Sequence, residues 1–142
     1  MHIERFMRGY KAAWEARDEA QFCALFTRDG AYANTPFAEQ RGHEQLARYW
    51  QRVKLQDEVQ VDYDVLAAAP REGTAHWHVT YRIASEELFA VWAASAAGTP
   101  QVERRAGDPL PRMVLDGVLH ARFDDDGLCM QCRLWWHSMP LP

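Results

Sequence analysis

Residues 114–137 read VLDGVLHARF DDDG LCMQCRLWWH, two apolar-rich runs joined by aspartates that end in a glycine. Asp-Gly supplies the positive backbone angles of a tight turn, so the stretch predicts a long antiparallel hairpin. Alternation along its second strand puts Cys132, Leu134 and Trp136 on one face. The first strand sets Leu119 and Asp116 at opposite parity, so without a bulge one faces inward and the other outward.

Upstream, EVQVDYDV (58–65) alternates Val59, Val61, Tyr63 and Val65 against Gln60, Asp62 and Asp64. HWHVTYRI (76–83) sets Trp77, Val79 and Tyr81 against His76, His78, Thr80 and Arg82, the period of half-buried strands. The N-terminal third has a different texture. Ile3, Phe6, Met7, Tyr10 and Trp14 fall at helical spacing. Asp18 and Gln21 resemble a capping box for a second short helix, carried by Phe22, Leu25 and Phe26 to the turn RDG. A strand over 31–35 follows, and Gly42 opens a third helix with the stripe Leu46, Tyr49, Trp50 and Val53. Helices first and antiparallel strands after define an α+β class. Residues 85–112 join the strands: ELFAVWAASAAG is helix or strand, and TPQVERRAGDPLPR is punctuated like a loop, together a lid, binding loop or dimer-wrapping arm.

The 142 residues suit one domain with one sizeable core. A formal net charge of -4, with dispersed arginines, argues against nucleic acid as a partner. The apolar run LFAVWAASAA is too short to span a bilayer, and MHIERFMRGY lacks the apolar core of a signal peptide, so the expected setting is cytoplasmic with no membrane partner. Three cysteines argue against a disulfide framework. Cys129 and Cys132 form a C-x-x-C, but on a strand residues three apart point to opposite faces, so a shared metal or disulfide is not expected.

FMRGYKAAWEARD, LFTRDGAYANTPF, RGHEQLARYW and LDGVLHARFDDDG followed by LWWHS, in that order, resemble the SnoaL-like and ketosteroid-isomerase-like branch of the nuclear transport factor 2 superfamily. The resemblance implies a cone in which a curved, mostly antiparallel sheet wraps three helices around an apolar pocket, with dimerisation through the outer sheet face. It also implies a site built from a first-helix Tyr, an Asp base before a Pro, and a protonated Asp on a late strand. The Tyr survives as Tyr10. The base position falls on Thr35 or Asn34, neither able to take a proton, and the second acid falls on Leu119.

By the same resemblance the pocket is lined by Trp77, Val79, Tyr81, Trp136, Cys132 and Leu134, with Tyr10, Trp14, Phe26, Tyr49 and Trp50 from the helices. The candidate ligand-binding residues are therefore Tyr10, Trp14, Asn34, Thr35, Tyr49, Trp50, Trp77, Tyr81 and Trp136, with Tyr10 the candidate catalytic group. His76 and His78, with His120 as a third ligand, have a spacing that metal sites use; a polar sheet face at a dimer interface explains the same residues and is favoured, because no acidic residue or fourth histidine obviously converges on them, and no metal or cofactor is expected. His137 suits a loop or terminus, and the consecutive aspartates 124–126 suit a solvated turn rather than a calcium loop.

Two functions fit. One is a cofactor-free isomerase, cyclase or dehydratase acting on a hydrophobic small molecule, with a base from Glu86, Glu87 or Glu103, or from Asp116 or His120 turned inward by a bulge. The other is a noncatalytic module that binds such a molecule, or one that recruits a partner through its sheet face.

Overall fold

In the computed structural model, which describes residues 1–95, 105 and 107–141, the first helix α1 (His2–Ala16) buries Ile3, Phe6, Met7, Tyr10, Ala13 and Trp14. Arg17 closes it in the left-handed conformation at φ 55°, and its guanidinium donates to the Gln56 carbonyl at 3.0 Å and pairs with Asp57. Asp18 caps α2 (Glu19–Cys23) by accepting from the Ala20 and Gln21 amides.

The second helix does not run through Phe26 as its spacing suggests. It stops at Cys23, and β1 (Phe26–Thr35) begins at Phe26 rather than at Ala31. Tertiary pairing wins here: the Cys129 amide donates to the Leu25 carbonyl at 2.8 Å, and Phe26 is paired with Cys129. The chain continues through β2 (Ala38–Arg41), α3 (His43–Trp50), a 3-10 turn (Gln51–Leu55), β3 (Gln56–Ala69), β4 (Glu72–Ile83), α4 (Glu86–Ser95), β5 (Arg112–Phe123) and β6 (Cys129–Leu141). The first half of the connecting segment is thus helical; 96–104 and 106, with most of the expected loop, lie outside the described residues. No helix among the described residues is long and apolar enough to cross a membrane.

The six strands form one open, curved sheet in the order β2-β1-β6-β5-β4-β3, antiparallel except for the β1–β6 pair. Register shifts interrupt every pairing but β4–β5, and each such bulge adds bend and twist. The concave face packs on α1, α2 and α3 around Phe6, Tyr10, Phe22, Trp50 and Trp77.

One of these bulges corrects the cysteine reading. Between Arg122 and Phe123 the register on β6 jumps from Gln131 to Cys129, so an extra residue reverses the parity. Cys129 and Cys132 are both fully buried, and their thiols are neighbours on the same side of the sheet. Burial first, and then Cys129 beside it, push the Cys132 thiol well above its ordinary range. His137 is also corrected: it lies within β6, opposite Asp116, not in a loop or at a terminus.

Candidate functional site

The site starts from a glycine in mid-strand. In register, Trp77 of β4, Gly117 of β5 and Trp136 of β6 stand side by side across the concave face. A Cβ on Gly117 would lie 2.7 Å from Trp136 Cβ and 2.9 Å from the Trp77 ring, so the missing side chain lets the indole lie across the neighbouring strand. Trp14 of α1 stands 5.7 Å from Trp77 and 5.9 Å from Trp50 between ring centres, and Trp50 stacks on Phe22 at 3.8 Å.

In front of these rings is a cavity of about 230 Å³. Its wall takes Trp14 from α1, Asn34 and Thr35 from the end of β1, Tyr49 and Trp50 from α3, Trp77 and Tyr81 from β4, and Trp136 from β6. Tyr10, the ninth candidate, is displaced from the wall: it is buried one layer deeper, its hydroxyl 2.5 Å from that of Tyr32, which does line the cavity. Tyr32 and Tyr49 follow at 5.4 Å between ring centres. Burial pushes the hydroxyls of Tyr10, Tyr32, Tyr49 and Tyr81 up from their ordinary range, so all four are neutral hydrogen-bond donors near pH 7.

The hydrogen-bond balance of the wall is uneven. Trp14 Nε1 donates to Gln56 Oε1 at 2.7 Å and Trp136 Nε1 donates to the Asn34 carbonyl at 2.7 Å. The indole N–H groups of Trp50 and Trp77, shut off from water, have no acceptor among the described residues. Arg52 is the one charged residue among the described residues lining the cavity; its guanidinium lies 4.3 Å above the Tyr49 ring.

No carboxylate or imidazole is among the described lining residues. Leu119, at the second acid position, is a fully buried core residue. Asp116 faces the other side of the sheet, where its two oxygens bind His76 Nε2 at 2.8 Å and His78 Nδ1 at 2.9 Å. An acid therefore does converge on the histidine pair, contrary to expectation, while His120 pairs with Glu72 at 2.9 Å instead of joining them. Among the described residues no group of three such side chains could hold a metal ion. Partial burial raises the Asp116 pKa, but hydrogen bonds from His78 and His76 outweigh it and hold the carboxyl below its usual range. Of the other candidate bases, Glu87 borders a neighbouring groove and Glu103 lies outside the described residues. The wall can thus orient and polarise a ligand, but its described residues offer no general base.

Tyr32, Gln40, Arg52, Gln56, Leu88 and Leu115 also line the cavity and were not singled out in the sequence. Tyr32 shares strand parity with Asn34 and was legible on that signal. Arg52 was not, because the 3-10 turn changes the angular spacing after Trp50.

The family model for the SnoaL-like domain matches residues 4–130. The chain belongs to that family, within the nuclear transport factor 2 superfamily. Among solved structures it is similar to the epoxide hydrolase/cyclase-like enzyme SalBIII, described for pyran ring formation in the polyether salinomycin, with TM-score 0.66, 13% identity and coverage of 96% of this chain and 94% of that one. It is similar to RV0760c from Mycobacterium tuberculosis, with TM-score 0.68, 12% identity and coverage of 96% and 95%. It is also similar to a hypothetical protein of ketosteroid isomerase-like fold from Catenulispora acidiphila DSM 44928, in complex with trimethylamine, with TM-score 0.64, 16% identity and coverage of 93% and 85%. At these identities the likeness establishes the fold. No match is found among curated protein sequences.

Proposed function

We propose that this chain binds a small, flat, hydrophobic molecule in the aromatic cavity. The carrying observation is the wall itself: four indoles and three phenols around about 230 Å³, with neutral polar groups at the lip and no described acid or base. That volume is below the range of about 300–1,000 Å³ usual for drug-sized ligands, so one or two fused rings suit it better than a steroid. The test is a titration of intrinsic tryptophan fluorescence with naphthalene-based probes. The expected result is saturable one-to-one quenching that Trp77→Ala abolishes. Absence of saturable binding by any two-ring probe, charged or neutral, would overturn the reading.

A cyclase-, isomerase- or dehydratase-type activity is a second reading, supported by the 2.5 Å contact between the Tyr10 and Tyr32 hydroxyls. A wall phenol, Tyr32, backed by the phenol of Tyr10 behind it is suited to stabilising a developing oxyanion. Here the base comes from the substrate or from a group the cavity does not hold. Turnover that falls more than tenfold in Tyr32→Phe while the ligand is still bound would favour this reading over simple binding.

The outer sheet face is assigned to pairing with a second copy. Val118 is paired with Trp135 in register there, and Trp135 and Met139 are about half exposed. Sedimentation of the protein should show a dimer that Trp135→Glu dissociates. Three free cysteines fit a reducing, cytoplasmic setting.

A further inference from the structure

The described wall has phenol donors and a single charge, and the two together specify the occupant further. We propose that the cavity takes an aromatic carboxylate of one or two fused rings, its ring system against Trp14, Trp50 and Trp77 and its carboxylate at the mouth on Arg52; this rests on the small-molecule reading above.

Arg52 carries the argument. Arg17, Arg41, Arg48, Arg82 and Arg112 each pair with a carboxylate. Arg52 has no such partner among the described residues; Arg5, Arg8, Arg28, Arg122 and Arg133 share that condition, but of all these only Arg52 lines the cavity, and Glu87, which shares the adjoining groove with it, forms no ion pair with it. Its guanidinium is instead laid over Tyr49, a partner that satisfies the face of the group and leaves its N–H edge unclaimed among the described residues. A planar fork of donors held at a cavity mouth matches a carboxylate. No acidic residue in the described wall opposes an anion there.

The rest of the wall agrees: the phenols of Tyr49 and Tyr81 are neutral donors, and an occupant bearing acceptor oxygens takes their hydrogen bonds where a hydrocarbon does not. The chief competitor is an organic cation, because a box of aromatic rings also attracts quaternary ammonium groups. Arg52 weighs against it, since two like charges at one mouth repel.

The test uses three probes on one ring system: 2-naphthoate, neutral 2-naphthamide, and (2-naphthylmethyl)trimethylammonium. Affinities are read by isothermal titration on the wild type and on Arg52→Gln. The expected result is 2-naphthoate binding about tenfold tighter than the amide, the size of one charge-assisted hydrogen bond, with the cation weakest. Arg52→Gln removes that tenfold advantage and leaves amide binding within about twofold. Because Arg52 is exposed at the mouth, the advantage also shrinks as salt is raised. Equal affinity for naphthoate and amide, preference for the cation, or indifference of naphthoate to Arg52→Gln would each overturn the proposal while leaving the small-molecule reading intact. Failure of all three probes to bind would overturn both.

Discussion

The two faces of β4 and β5 are built from alternate residues of the same strands, yet they solve opposite problems. On the concave face Trp77 lies beside Gly117, and the neighbouring rings enclose a cavity whose only described charge is Arg52 at the mouth. On the convex face, one residue to either side, His76 and His78 hold Asp116 between them. The acid nearest in sequence to the expected second acid position is thus in a water-exposed imidazole network, and the site within is left with donors and no described base. Strand parity, reinforced by an unbroken β4–β5 register, makes this separation.

The largest test of that contrast is stability. Trp77→Ala removes a fully buried ring and should destabilise by about 3–5 kcal/mol in urea unfolding. His78→Ala, one residue away on the exposed face, should cost no more than about 1 kcal/mol. Comparable losses would mean that the faces are not energetically distinct. Next comes Gly117→Ala, which forces a methyl against the Trp135 carbonyl and the Trp77 ring. The cost is about 1–3 kcal/mol. Near-ultraviolet circular dichroism should change with it, because the ring can no longer lie where it does; an unchanged spectrum would show that Gly117 does not position Trp77.

A smaller effect separates the faces by pH. The buried Tyr10, Tyr32 and Tyr81 and the partly buried Tyr49 have folded pKa values raised above their unfolded value of about 10. Their contribution is therefore fully present below pH 10 and is lost as pH rises beyond it, the unfolded chain releasing protons first. Absorbance of tyrosinate should accordingly appear together with unfolding rather than before it, and Tyr10→Phe should flatten the alkaline limb. Asp116 runs the other way: its folded pKa is depressed, so its contribution is present above the ordinary aspartate value and lost as pH falls through the lower folded one. Asp116→Asn should flatten the acid limb slightly, the group being about half exposed. An acid limb unchanged in that variant would remove the network from the account.

Most of the cone was legible because alternation and helical spacing are written in the residues themselves: parity grouped Trp77 with Tyr81 and set Trp136 with its own strand face, the family resemblance turned those faces inward, and all three line the cavity. What failed were places where one residue changes the count. The bulge at the start of β6 brings Cys129 round beside Cys132, and pairing with that same strand converts Phe26 from helix to strand. Tyr10 illustrates a different limit. Helical spacing assigned it correctly to the inner face, but whether an inward ring meets the cavity or the layer behind depends on Tyr32, which sits between. Arg52 was invisible for a related reason, since a charged residue after a helix reads as solvated until the 3-10 turn swings it over Tyr49.

The central claim, that the concave face is the ligand face and is aromatic and baseless, is tested most directly by the indole N–H resonances of ¹⁵N-labelled protein during titration with 2-naphthoate. Trp14, Trp50, Trp77 and Trp136 line the cavity, whereas Trp135 stands on the convex face as an internal control. The account predicts that the four cavity signals shift together and saturate at one equivalent while Trp135 stays in place. Shifts confined to Trp135, or saturation with the four cavity signals unmoved, would contradict it.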